Sequence, residues 1–150
     1  MTVKCGGSQP LHRNLFSLSW PNGFAMPHIK IEASAGIIDV IDWANVLNKL
    51  HTGLANEGWA RLSDLKSRIH PCTAAVSADD PSAQQVIATL VLTNPRPAEM
   101  QRAMIQMVLE YLGQAIDATH PDQWVQCCVF LQPVPKHDYI KQQWNPPSSA

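Results

Sequence analysis

A chain of 150 residues has the length of one domain. With 45% hydrophobic and 15% charged side chains, it carries enough apolar mass for a core. Its 11 basic and 12 acidic residues leave a formal net charge of -1, which excludes a global pull toward nucleic acid or an anionic membrane.

The first 25 residues form a polar, turn-rich lead without periodicity. Gly6, Gly7, Pro10, His12, Arg13, Asn14, Pro21 and Asn22 interrupt any apolar segment of signal-peptide length. Leu15, Phe16, Leu18 and Trp20 run too soon into Pro21-Asn22-Gly23 to build an element. Residues 1–26 are therefore expected to be an extension, disordered or not part of the native mature chain. Residues 27–150 are expected to be one domain with an irregular tail. No apolar run has the length of a bilayer span.

Order begins at Pro27. His28, Lys30 and Glu32 alternate with Ile29, Ile31 and Ala33, the period of a half-buried strand, and Gly36 breaks it. Asp39 fits an N-cap, with Asp42 near the positive end of the helix that follows. Val40, Trp43, Leu47, Leu50 and Leu54 keep helical spacing, and Gly53 and Gly58 bracket the exit. A second strand is predicted over about residues 65–70. Leu65, Ser67 and Ile69 face one way, and Lys66, Arg68 and His70 the other. Pro71 ends that strand or places it on an edge.

The pattern then recurs. Residues 85–92 read as an apolar strand covered on both faces. Pro95 and Pro97 mark the turn, Pro97 suiting a first helical turn. Met100, Met104, Met107, Val108, Tyr111, Leu112 and Ile116 line one face of a long helix, closed by His120-Pro121. Residues 123–131 form the last strand, and Pro133, Pro135, Pro146 and Pro147 make the tail irregular. Two β-α-β units thus follow one another, offset by roughly 58 residues. Right-handed crossovers make the strands of each unit parallel. The predicted fold is α/β (α+β), a four-stranded sheet with two helices on one face. The other face needs a cover, which a second copy of the chain supplies most simply.

Four cysteines, Cys5, Cys72, Cys127 and Cys128, lack the C-x-x-C spacing of zinc ribbons and thioredoxin-like sites. Cys127 and Cys128 should point to opposite faces of their strand as buried free thiols, which fits a reducing cytoplasm. His12, His28, His51, His120 and His137 show no metal-ligand pairing. No phosphate-cradling glycine loop and no G-x-S-x-G elbow is present.

Three features can carry chemistry. If translation starts at Met26 and the initiator is removed, Pro27 holds a free secondary amine. A free α-amino group titrates near ~8, and burial or nearby cations lower that further. Such an amine is a general base at neutral pH. An internal Pro27 is an amide and cannot accept a proton. Second, Lys66, Arg68 and His70 share one strand face, a pattern that suits a carboxylate ligand and equally describes a solvated face. Third, Arg96 precedes the second helix, where a guanidinium reaches an anion at the helix amino end or stands exposed.

From Met26 onward the chain resembles the 5-carboxymethyl-2-hydroxymuconate isomerases of the tautomerase superfamily. The resemblance rests on Met26-Pro27-His28-Ile29-Lys30-Ile31-Glu32, Lys66-Ser67-Arg68-Ile69-His70, Asn94-Pro95-Arg96 and Tyr139-Ile140-Lys141-Gln142-Gln143. It implies a homotrimer whose sheets cover one another's bare faces. It also implies a cofactor-free and metal-free isomerisation, in which an amino-terminal proline moves a proton within an unsaturated carboxylic acid. Pro27 matches the shuttling proline, and Arg68 the second arginine of the family's Arg-Ser-Arg strand. Lys66 stands where the first arginine does, keeping the charge and losing the planar fork. Arg96 matches an arginine before the second helix. The expected partner is a small anionic carboxylate substrate, with neither nucleic acid nor membrane. The competing reading is a catalytically silent trimeric binding or scaffold protein in which the extension blocks Pro27. A ferredoxin-like RNA-binding module is disfavoured, because the strands lack stacking aromatics and the charge balance is wrong.

Overall fold

The computed structural model describes residues 26–94, 96–146 and 148. The lead over residues 1–25, with Cys5 and His12, lies outside the described residues, as do Pro95 and Pro147. The elements run β1 (His28–Ser34), α1 (Ala35–Ile38), α2 (Trp43–Asn56), β2 (Lys66–Cys72), β3 (Gln84–Leu92), α3 (Ala98–Asp117) and β4 (Val125–Pro133). Short 3-10 turns cover Leu62–Asp64 and Lys136–Asp138.

The strands form one sheet in the order β2-β1-β3-β4. Strands β1 and β2 are parallel, as are β3 and β4, and the central pair β1 and β3 is antiparallel. These are the two predicted β-α-β units, joined through their first strands. Strand alternation decides what each face carries. Ile29, Ile31 and Ala33 stand level with Leu90, Ala88 and Val86, and all six are completely or almost completely buried. Leu50 and Leu54 of α2 and Met104, Val108, Leu112 and Ile116 of α3 close over them. Each fully buried aliphatic side chain contributes about 1.5–3 kcal/mol.

Among the described residues, no helix covers the opposite face. Its rows, read across the sheet, are Lys66–His28–Val91–Gln132, Arg68–Lys30–Thr89–Phe130 and His70–Glu32–Ile87–Cys128. The β2–β1 half is cationic, and the β3–β4 half holds Val91, Ile87 and Phe130, the last 58% exposed. Strand β3 is therefore covered on one face, not two: its burial alternates strictly from Val86 to Leu92. Pro71 does not end β2. It lies within the strand, paired with Ala33, and the strand is an edge, where a missing N–H is tolerated.

Other boundaries shift for local reasons. Gly36 sits in the four-residue α1, which follows β1 directly. Asp39 is the C-cap of α1, and Asp42 caps α2, its carboxylate accepting from the Asn45 N–H at 3.2 Å. Val40 is left outside both helices. Pro97 is the N-cap of α3 rather than its first helical residue. The final strand starts and ends two residues later than predicted. Gly53 lets α2 approach α3: an added Cβ would stand 2.8 Å from the Tyr111 hydroxyl and 3.3 Å from the Met107 sulfur. His51 of α2 is tied to Ser67 of β2 through a 2.6 Å hydrogen bond. Among the described residues, no helix is long and apolar enough to cross a membrane.

Urea unfolding separates the two candidate caps. Asp42→Ala should cost about 0.5–2 kcal/mol through the orphaned Asn45 N–H, whereas Asp39→Ala, which removes no helix cap of α2, should leave the midpoint nearly unchanged.

Candidate active site

Pro27 precedes β1 and is fully buried. Its carbonyl accepts from the Lys66 N–H at 3.1 Å, so β1 and β2 begin side by side. Because β3 runs the other way, its end arrives at the same place: His28 stands level with Val91, two residues before Thr93. Strand β4 also ends there, with Leu92 level with Pro133 and the Val134 N–H donating to the Leu92 carbonyl at 2.7 Å. A 3-10 turn closed by the Asp138 N–H on the Pro135 carbonyl, 2.9 Å, then redirects the tail. It brings Tyr139 back to the sheet end, where its hydroxyl donates to the Met26 sulfur at 3.5 Å.

Met26 is buried, and its N–H donates to the Thr93 Oγ1 at 3.3 Å. The Pro27 nitrogen in this chain is an amide, its lone pair delocalised into the Met26 carbonyl. His28 sits next to it, half-buried, with its ring edge-to-face against Tyr139 at a centroid distance of 6.1 Å. The His28 Nε2 is buried without a hydrogen-bond partner. Burial first, then the positive charges of Arg68 and Lys66, pull the His28 pKa below its ordinary value of 6.5. Burial and the two β2 cations thus favour the neutral imidazole.

The predicted cations differ in posture. Arg68 is exposed on the helix-free face, one row in from Pro27. Lys66 lies closer, but its ammonium folds back to donate to the carbonyls of Ser63, 2.7 Å, and Leu65, 3.3 Å. It supplies positive field with two of its three donors engaged. His70 is exposed a row further from Pro27, level with Glu32. Arg96 is half-buried at the foot of α3, with its Nη1 3.7 Å from the Met104 sulfur and its carbonyl accepting from the Gln101 Nε2. Burial lowers the pKa of its guanidinium from the ordinary value. Lys66 and Arg68 are brought to the Pro27 end through β2, and Arg96 follows the end of β3.

Three polar groups at this end escaped the sequence reading as site residues: Thr93, Tyr139 and His28. Thr93 carries no local signal, and His28 looked like one polar position in an alternating strand. Tyr139 was visible only within the late segment that contributes to the resemblance. Elsewhere, burial and then Cys128 raise the Cys127 thiol to about 11, which makes it a poor nucleophile. Cys127 faces the helices, level with Val86, and Cys128 the open face, level with Ile87. Among the described residues, no three His, Cys, Asp or Glu side chains gather into a metal-binding group. An open groove between α2 and α3, lined by Lys49, Gly53, Glu110 and Tyr111 among others, includes none of the predicted site residues.

No protein-family model and no curated protein matches the chain. Solved structures do match. A 5-carboxymethyl-2-hydroxymuconate isomerase from Deinococcus radiodurans R1 superposes with a TM-score of 0.68 at 16% identity, over 79% of this chain and 90% of its own. A 5-carboxymethyl-2-hydroxymuconate delta-isomerase gives 0.64 at 12% identity, over 81% and 89%. A fused 4-OT symmetric trimer gives 0.57 at 16% identity, over 75% and 89%. The chain therefore has the fold of the tautomerase superfamily.

Replacing Arg68 by Gln removes one repulsive charge, so the His28 pKa should rise in an NMR titration while burial keeps it below 6.5. The stability effect has a definite sign. His28 and His51 both titrate lower in the fold than the ordinary 6.5, so the unfolded chain takes up protons first as pH falls. Stability should decline below about pH 6.5, and His28→Asn should flatten that decline in urea unfolding followed against pH.

Proposed function

We propose that the chain, once Pro27 is its first residue, is a tautomerase-type isomerase. Its substrate is an unsaturated 2-hydroxy or 2-oxo carboxylic acid such as 5-carboxymethyl-2-hydroxymuconate, within the catabolism of aromatic compounds in the cytoplasm. The observation that supports this most is the position of Pro27. It is a fully buried proline at the sheet end, with Lys66 in the first row of the helix-free face and Arg68 beside Lys30 in the second, on a fold shared with isomerases of that name.

The chemistry follows from the surroundings. A terminal proline amine starts near ~8. Burial and the neighbouring cations disfavour its charged form, so it stands neutral at physiological pH. It takes a proton from the carbon beside the substrate carbonyl and becomes an ammonium, leaving a dienolate. It then returns the proton to a more distant carbon, and the double bond moves with no net change in protons. Arg68 holds a carboxylate by its fork, and Lys66 adds positive potential where enolate charge develops. Arg96 is assigned to the substrate's other acidic end. The apolar half of the open face, around Ile87, Val91 and Phe130, is buried in a homotrimer.

One observation favours the alternative, a catalytically silent trimeric binding or scaffold protein. With Met26 attached, Pro27 is an amide and Met26 is held by two hydrogen bonds. Mass spectrometry of the protein from its native host decides between the two readings. A mature chain starting at Pro27 is expected; only chains starting at Met1 would sink the isomerase.

In the form that starts at Pro27, ultraviolet assays with 2-hydroxymuconate-type acids should show isomerisation. Arg68→Ala should lower kcat/KM on the order of 100-fold, as expected for loss of a donor to developing charge. Lys66→Ala should cost less, because two of its donors already serve Ser63 and Leu65. A larger loss for Lys66 than for Arg68 would reverse these roles.

A further inference from the structure

Whatever reaches the Pro27 nitrogen must enter the space that Met26 now fills, because Met26 is the residue bonded to that nitrogen. That space is built rather than open. Met26 is only 6% exposed, yet its N–H and its sulfur both have polar partners, the Thr93 Oγ1 at 3.3 Å and the Tyr139 hydroxyl at 3.5 Å. A thioether is a weak acceptor for a phenol. A third polar group, the His28 Nε2, is buried against Tyr139's ring neighbourhood with no partner at all. Thr93, Tyr139 and His28 come from the end of β3, the returning tail and the start of β1. None of the three is a carboxylate or a permanent cation. Together they present hydroxyl and imidazole groups suited to an uncharged oxygen, and a buried polar group without a good partner is destabilising until a ligand supplies one.

We propose that Met26 is a plug: it occupies the subsite in which Thr93, Tyr139 and His28 bind the keto or enol oxygen of the substrate, while the carboxylate lies toward Arg68. This rests on the isomerase reading and adds to it. The attached chain disables the site twice, by making the Pro27 nitrogen an amide and by filling the pocket beside it. Removal of Met26 opens the pocket and leaves the Thr93 and Tyr139 hydroxyls free for a ligand oxygen.

The test uses the full-length chain, in which Pro27 is always an amide and no turnover complicates binding. The probe is 2-oxoadipate, a saturated 2-oxo dicarboxylate, titrated by calorimetry. Met26→Gly should bind it at least about tenfold more tightly than the unmodified chain, the equivalent of roughly 1.4 kcal/mol. Met26→Ala, which keeps a Cβ and perturbs the backbone less, should show a smaller gain in the same direction. Adding Tyr139→Phe to Met26→Gly should abolish the gain, because residue 26 keeps its N–H on the Thr93 Oγ1 and the truncation frees only the Tyr139 hydroxyl, while thermal melts report that each variant is folded. Equal binding by the unmodified chain and a folded Met26→Gly or Met26→Ala, including no binding by either, overturns the plug. So does a gain that survives Tyr139→Phe. An active enzyme starting at Pro27 together with equal binding would remove the plug and leave the isomerase standing. Tight binding by Met26→Gly with no activity in the Pro27-first form would do the reverse.

Discussion

Strand β1 must bury Ile29, Ile31 and Ala33 beneath the two long helices, and this turns His28, Lys30 and Glu32 to the helix-free face. A slip of one residue would exchange the two sets, so the apolar alternation fixes the register. Parallel pairing with β2 then carries Lys66, Arg68 and His70 onto the same face as His28. Antiparallel pairing with β3 brings Thr93 to the beginning of β1 rather than to its far end. The chemistry available beside Pro27 is a consequence of which side of one strand is greasy.

That dependence explains what could be read from the sequence. The basic face of β2 was legible because Leu65, Ser67 and Ile69 alternate cleanly with Lys66, Arg68 and His70, and the structure keeps both sets apart. The two-unit order followed from the recurring strand and helix periods, and the parallel pairing with its one-sided helix layer from crossover handedness. The cap of α2 was misplaced because Asp39 and Asp42 have the same side chain, and only the backbone shows which one reaches an N–H. The four residues of α1 are too few to display any period. Strand β3 looked doubly buried because Ile87 and Val91 are as apolar as Val86 and Leu90, although they face away from the helices.

The site was legible in part, and for a different reason. Pro27, Lys66, Arg68 and Arg96 announce themselves by residue type, and β1–β2 pairing is short enough in sequence to anticipate. Tyr139 meets Met26 across 113 positions, and Thr93 meets it across 67. Contacts of that span depend on both crossovers and on the 3-10 turn after β4, none of which leaves a local mark. The postures of the cations were equally hidden: nothing in the spacing of Lys66 says that its ammonium turns back to Ser63.

The site straddles the two β-α-β units. Pro27, His28, Lys66 and Arg68 belong to the first, and Thr93, Arg96 and Tyr139 to the second. Off the sheet, the units also meet where Gly53 of α2 lies against Tyr111 and Met107 of α3. The atoms nearest the missing side chain are the tips of Tyr111 and Met107 rather than backbone, so an added side chain would first turn those two tips aside. The bare surface of Gly53 is what gives the Tyr111 hydroxyl its berth across the seam between the units, on the helix side of the sheet.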